Sequence, residues 1–438
     1  MKLFTALLLT LTVVFVAATP PERSEAISRE KVIELLKKEL RERGLNVKNV
    51  SRCRQKGNRF NCRWWAKGRG PGGVPYDCRG RATYFVRTKK WRISKCASIK
   101  EKQIPLTQNP GPHPEFFGYN EDWGSRSTKY FDLLAGSGAG VARQILGWST
   151  VQPNRKTFNW DHYDGIYRKL LDRGMRPLWI LFNSPCWAQK DKRACRRGNS
   201  KLSPARGHYD DFARFAAAAA ERYPMAAGLE VWNEPNYRLF WGGKPSPRAY
   251  AALFKKAVAA IRAANAAMPV LTAGLSPHHT DSRKAMGYPK FLTRLYRSGA
   301  AKLADMIGIH PYPSIKYNGG YIDRLRVHLA RVDKVMRKRK DADRPIAVTE
   351  VGVSTSGSDR YKRRQQAKAL ADIYTTLRRV PPTSSGAPRI PVVVIHRFRD
   401  EPNPGHLGPN EPGFGVVDSK GRRKPAYCAV AKAAGSPC

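Results

Sequence analysis

The chain has 438 residues, more than one hydrophobic core usually serves, so two domains are expected. Hydrophobic residues make up 41% and charged residues 26%, a mixture that excludes a wholly disordered chain. Eighty Lys and Arg against 34 Asp and Glu leave a formal net charge of +46, which bears on association with anionic partners and not on fold.

The chain opens Met1-Lys2-Leu3 and runs apolar to Val16-Ala17-Ala18. A basic start, an apolar stretch and small residues before a polar break describe a secretory signal over residues 1–18. The run falls short of the roughly 20 apolar residues of a membrane-spanning helix, so no transmembrane segment is expected.

Residues 27–100 read as a small, basic, Cys-rich α+β module. Arg29 to Leu40 sets Val32, Ile33, Leu35, Leu36 and Leu40 at helical spacing, with Ser28 as N-cap and Gly44 as stop. Short strands are expected at Asn46–Val50, Phe60–Trp65, Ala82–Arg87 and Trp91–Ser94. The segment holds 22 Lys and Arg against 5 Asp and Glu, a charge suited to an anionic cell-wall or matrix polymer. No base-reading motif or basic–aromatic repeat points to specific nucleic acid binding.

Eight cysteines suit an oxidising compartment. Cys53, Cys62, Cys78 and Cys96 cluster in the module, with three possible pairings; Cys186 and Cys195 form one local pair, Cys428 and Cys438 another. No CxxC spacing and no accompanying His suggest a metal, and no cofactor motif is present.

Residues 101–114, with Pro105, Pro110, Pro112 and Pro114, read as a linker. From 115 to 438, strand-like and helix-like segments alternate, which predicts a (β/α)8 TIM barrel. The strands are expected at Phe116–Tyr119, Val141–Leu146, Pro177–Phe182, Gly228–Trp232, Val270–Gly274, Met306–His310, Ile346–Glu350 and Val392–His396. Helical patterns fall at Asp210–Arg222, Pro247–Ala264, Tyr321–Arg339 and Lys362–Arg378. An open doubly wound sheet is the alternative, but no GxGxxG opens any of these helices.

Catalytic groups of such a barrel sit at the C-terminal strand ends. The fourth strand ends Trp232-Asn233-Glu234-Pro235 and the seventh ends Thr349-Glu350, while the sixth ends His310-Pro311-Tyr312 and the second carries Arg143. Two carboxylates therefore face one mouth. A salt-bridged pair serving stability is the other reading of two buried Glu, and Glu230 suits a buried partner of the site.

The segment Leu229-Glu230-Val231-Trp232-Asn233-Glu234-Pro235-Asn236 resembles the acid/base motif of clan A glycoside hydrolases. The span from Glu115 to Ala433 is similar to that clan, most of all to the cellulase-like and β-xylosidase-like barrels of families 5 and 39. Arg143 with Trp148 and Pro153, His310-Pro311-Tyr312, Thr349-Glu350, Gly415-Val416-Val417-Asp418 and Lys424-Pro425-Ala426-Tyr427 carry the likeness further. The resemblance implies a secreted retaining hydrolase of β-linked oligo- or polysaccharides, with Glu350 as nucleophile and Glu234 as acid/base. Glu234 would be held neutral by the charge of Glu350 and by partial burial.

Asn233 would bond the sugar 2-hydroxyl, Arg143 would keep Glu350 ionised, and His310 and Tyr312 would position nucleophile and sugar. Trp148, Trp123 and Trp241 would stack on sugar faces or pack in the core. The resemblance also implies a Trp at the eighth strand end, where this chain has His396-Arg397-Phe398-Arg399. His396 or Phe398 would fill that place, and the two Arg would favour an acidic sugar. That departure, with the charge, leaves a second reading: a non-catalytic glycan- or wall-binding protein on a degenerate barrel.

Overall fold

A computed structural model describes residues 27–42, 46–69, 75–93, 117–121, 128–278, 280–313, 320–357, 361–402 and 408–438. The signal segment, the linker, Trp123 and Cys96 lie outside them. The chain divides into two compact units, Met1–Asn109 and Pro110–Cys438.

In the first unit, helix α1 (Arg29–Glu42) begins where the Ser28 hydroxyl accepts the Lys31 amide at 3.1 Å, the N-cap that the sequence predicts. Four antiparallel strands follow in sequential order: β1 (Val47–Lys56), β2 (Arg59–Arg69), β3 (Pro75–Phe85) and β4 (Lys90–Ile93). Val32, Leu36 and Leu40 of α1 pack with Val50, Phe60, Trp64, Ala66, Ala82 and Tyr84, so the helix covers one sheet face. Cys53 and Cys62 form a disulfide between β1 and β2. β3 starts seven residues before the predicted strand, because Pro75 to Arg81 pair in register with Arg69 to Arg63. Their Gly, Arg and Asp content carries no alternating apolar signal, so pairing decides there and not propensity.

In the second unit, eight parallel strands stand in the order β10-β11-β12-β5-β6-β7-β8-β9. They are β5 (Phe117–Asn120), β6 (Val141–Gly147), β7 (Arg176–Phe182), β8 (Gly228–Val231), β9 (Val270–Thr272), β10 (Ile307–Ile309), β11 (Ile346–Val351) and β12 (Val393–His396). Single bridges, Leu271 to Met306 and Leu275 to Ile309, close the ring between β9 and β10. The helices that pack outside it include α6 (Tyr209–Arg222), α8 (Pro247–Ala264), α9 (Tyr288–Arg297), α10 (Gly320–Lys338) and α11 (Arg363–Arg378). The predicted (β/α)8 barrel is the fold, preceded by the small Cys-bearing unit.

Alternation along each strand sorts the interior. Val141 and Arg143 share one face of β6, Ala347 and Thr349 one face of β11, and Val394 and His396 one face of β12. The first member of each pair joins Leu178 and Leu271 in an apolar plug. The second, one step nearer the C-terminal end, is polar. Gly118 holds the corresponding place on β5, where a Cβ would lie 2.0 Å from the Val141 carbonyl oxygen. The apolar floor thus carries a polar layer at the mouth.

Disulfides Cys186–Cys195 and Cys428–Cys438 match the predicted local pairs. Among the described residues no helix is long and apolar enough to cross a membrane.

Candidate active site

Glu230 on β8 anchors the polar layer and is fully buried. Its Oε2 accepts Arg143 Nε at 2.7 Å, while Oε1 accepts Arg143 Nη2 at 3.1 Å, the Gly274 amide at 2.7 Å and the Thr349 hydroxyl at 3.1 Å. A buried carboxylate needs this many donors to offset lost hydration. Arg143, also fully buried, uses Nη1 to reach Glu350 Oε1 at 2.6 Å and Nη2 to reach Asn233 Oδ1 at 3.0 Å. One guanidinium therefore fixes three of the polar groups.

Two departures from regular backbone aim the carboxyls. After β8, Trp232 and Glu234 take positive φ, 75° and 41°. Each such residue costs about 1–3 kcal/mol and persists only where its surroundings impose it. The Trp232 indole N–H donates to the Phe240 carbonyl at 2.8 Å, and Asn236 bonds both the amide and carbonyl of Ser276, at 2.9 and 3.1 Å. On β11 the register slips: Val348 pairs with Val393, but Val351 pairs with Ile395. The extra residue is a bulge, and bulges re-aim side chains. Glu350 turns into the mouth beside Thr349.

Glu350 accepts the Tyr312 hydroxyl at 2.7 Å, and its Oε2 lies 3.6 Å from His310 Nδ1 and 3.9 Å from His396 Nδ1. Burial works against its ionisation, but His310, Arg143 and His396 with the Tyr312 hydrogen bond outweigh that and hold the carboxyl far below the usual range. Burial and the neighbouring Glu350 and Glu411 push the Tyr312 hydroxyl well up, so it stays a donor.

The proton between His310 and Glu234 can be counted. Thr349 donates its one hydroxyl hydrogen to Glu230, so its oxygen accepts from His310 Nε2 at 3.1 Å. Both Arg143 Nη2 hydrogens are already used on Glu230 and Asn233, so its 3.5 Å approach to His310 Nε2 is a contact and not a bond. With Nε2 protonated, His310 Nδ1 meets Glu234 Oε1 at 2.8 Å and the two share one proton. Gly274 makes this packing possible: a Cβ there would sit 2.0 Å from His310 Nε2 and 2.5 Å from Thr349 Oγ1.

Glu234, His310 and Glu350 each place one donor atom within 4.8 Å of the others. That geometry would admit a cation, but the Arg143 guanidinium already occupies the anionic end of the cluster.

The strand-eight corner differs from expectation. His396 reaches the mouth and gives Nε2 to Glu411 at 2.9 Å, while Nδ1 lies 3.0 Å from Asn120. Burial lowers its proton affinity, but the Glu411 charge and hydrogen bond raise it further. Phe398 lies past the end of β12 and is instead fully buried against Tyr119 and Tyr427. Arg397 is engaged by Glu411 at 3.4 Å and by Glu121 and Glu401 at 3.6 Å, and Arg399 lies over the Tyr130 ring. Neither Arg is arranged to receive an acidic sugar.

Two proposed stacking residues are likewise core residues. Trp148 is sealed against Trp187, Phe212 and Phe215, with its N–H on Gln152, and Trp241 packs against Trp232 and Tyr250. Among the described residues, Tyr312, His396 and Phe414 bring three rings together at the mouth, with centroids 5.1–6.0 Å apart. Phe414, Glu411 and Asn120 escape sequence reasoning because they come from segments remote from the motif strands; Asn120, as the last residue of β5, was reachable by the strand-end rule.

Eight parallel strands with this acidic pair, its Arg and its His–Tyr corner define a barrel glycoside hydrolase of clan A. Residues 106–379 match the family model "Cellulase (glycosyl hydrolase family 5)", and the chain belongs to that family. It is a glycosidase. Solved structures share the fold. A family 39 glycoside hydrolase from Bacteroides cellulosilyticus WH2 is 18% identical, with a TM-score of 0.55 over 89% of this chain and 80% of that one. A family 39 β-xylosidase from Caulobacter crescentus is 21% identical, with 0.52 over 72% and 70%. Xylanase 10B from Thermotoga petrophila RKU-1 is 16% identical, with 0.52 over 74% and 94%. No protein of curated function matches the sequence.

Proposed function

We propose that the protein is an exported, retaining glycosidase of β-linked oligo- or polysaccharides, with Glu350 as nucleophile and Glu234 as acid/base. The observation that carries this reading is the approach of Glu234 and Glu350 oxygens to within 4.8 Å. Retention needs the carboxyls about 5–5.5 Å apart, whereas inversion needs about 6.5–9.5 Å to admit a water.

The Glu350 carboxylate attacks the anomeric carbon, and the glycosidic bond breaks as its oxygen takes the proton shared by Glu234 and His310. Water then attacks the glycosyl ester, gives a proton to Glu234 and releases Glu350 as carboxylate. Arg143 occupies Asn233 Oδ1, which leaves the amide N–H to bond the sugar 2-hydroxyl. Tyr312, His396 and Phe414 supply the ring faces against which the glycone packs.

Export is supported by the N-terminal apolar leader, and the three disulfides among the described residues fit an oxidising compartment. The basic first unit serves as an anchor on an anionic wall or matrix polymer. All four Glu of residues 27–100 lie on α1, and Asp77 is the one acidic residue on the sheet strands. The sheet is the cationic side.

The test is a 2-fluoroglycoside panel read by peptide mass. A covalent adduct on Glu350 is expected, and turnover with the adduct elsewhere would overturn the assignment. Glu350→Gln and Glu234→Gln should each lower kcat by about two to four decades. Glu234→Gln should spare the first step on aryl glycosides whose leaving group needs no proton.

A further inference from the structure

Outside the barrel mouth, α8 and α9 enclose a hollow of about 710 Å³. Five cations line it: Lys244 before α8, Arg248 and Lys255 on α8, and Arg294 and Arg297 on α9. No carboxylate and no aromatic ring is among the lining residues. All five side chains are exposed, and none forms a salt bridge or side-chain hydrogen bond among the described residues. This is unusual for the region. Neighbouring cations are spent: Lys256 on Asp210, Arg262 on Asp305, Lys290 on Asp281. Asp281, whose field reaches Arg294, is also held by the Gly287 amide at 3.0 Å.

Sequence spacing explains the convergence. Arg248 and Lys255 are two helical turns apart, about 10 Å along α8, and Arg294 and Arg297 are one turn apart on the facing helix. A Cβ on Gly299, just past α9, would come 3.9 Å from Lys255 Nζ, so the α8 lysine reaches across the groove that Arg294 and Arg297 of α9 also line. Its floor is low and apolar, made of Ala251, Ala252 and Met286. Five like charges held together repel one another, and a ligand with repeated negative charges relieves that repulsion.

We propose that the α8–α9 groove is a second carbohydrate site, which binds a strand of anionic polysaccharide between the two helices. Two rows of cations suit charges repeated along a chain, and the smooth apolar floor suits the C–H face of a sugar ring. A single-stranded nucleic acid would call for stacking rings, which the groove lacks.

The full-length protein is tested with polygalacturonate, dextran sulfate, fully methyl-esterified polygalacturonate and single-stranded DNA. Arg248, Lys255, Arg294 and Arg297 are all changed to Gln. A matched control changes Lys302, Arg364, Arg379 and Lys432 to Gln, which removes the same charge at exposed positions elsewhere. The groove variant should lose about tenfold or more in affinity for polygalacturonate or dextran sulfate, with a shallower salt dependence, while the control changes by less than about threefold. The esterified polymer should bind neither protein differently. Equal losses in groove variant and control, no loss in either, or a larger loss toward DNA than toward either polysaccharide would overturn the proposal. Thermal melts verify that both variants fold. The binding readout needs no turnover, so its failure is separable from failure of the catalytic assignment.

Discussion

Gly274 shows how much of the site rests on single atoms. Its φ needs no special freedom; what matters is that His310 and Thr349 occupy the space of a side chain. Gly274→Ala should cost about 1–3 kcal/mol of stability by overpacking and displace His310 from Glu234. Kinetics and melting together check this: kcat should fall further than stability loss explains. Tyr312 offers a pH test. Its hydrogen bond helps hold Glu350 below the unfolded carboxyl value of about 4.3, so the stability it contributes is complete above that pH and lost as pH falls through the folded value. Tyr312→Phe should therefore shift the acidic limb of kcat/KM to higher pH, measured on one soluble substrate. Glu234, Glu350, His310 and Tyr312 were legible as neighbours because each stands at or just past a strand end, and Arg143 because it lies on the interior face of β6. Glu411 was not, since a remote loop presents it and no local pattern announces a partner for His396.

The strands of the barrel were legible to within one or two residues because short apolar runs bounded by polar turns allow few other outcomes. Side-chain direction was the weaker inference. Trp148 and Trp241 follow strand ends, where a sugar platform is plausible, yet short helices there, Trp148–Val151 and Arg238–Trp241, turn both rings into the core. Aromatic identity alone does not distinguish these fates. The loop after β7 carries Cys186–Cys195, which closes about ten residues. Replacing both by Ala should cost about 2–3 kcal/mol by the loop-entropy estimate, read as a lower melting temperature under oxidising conditions and no change under reducing ones.

For the whole molecule, charge and fold separate cleanly. The surplus of Lys and Arg is unevenly distributed: the sheet strands of the small unit carry one carboxylate, Asp77, and the α8–α9 groove is lined by none. Arg63 and Arg81, opposite each other on β2 and β3, are exposed on the sheet face away from α1. Changing both to Gln should weaken retention on an anionic polymer matrix in low salt and leave turnover of a soluble neutral substrate unchanged. A retention assay beside a solution assay separates the two. The barrel ring is also uneven. β6 and β7 pair over seven consecutive residues, whereas β9 meets β10 through isolated bridges. That seam should show the fastest amide exchange in the barrel, with Thr272 and Leu275 exposed to solvent deuterium well before the β6 amides. Gly274 and His310 flank the seam, so the proton held between His310 and Glu234 sits beside the line along which the barrel breathes.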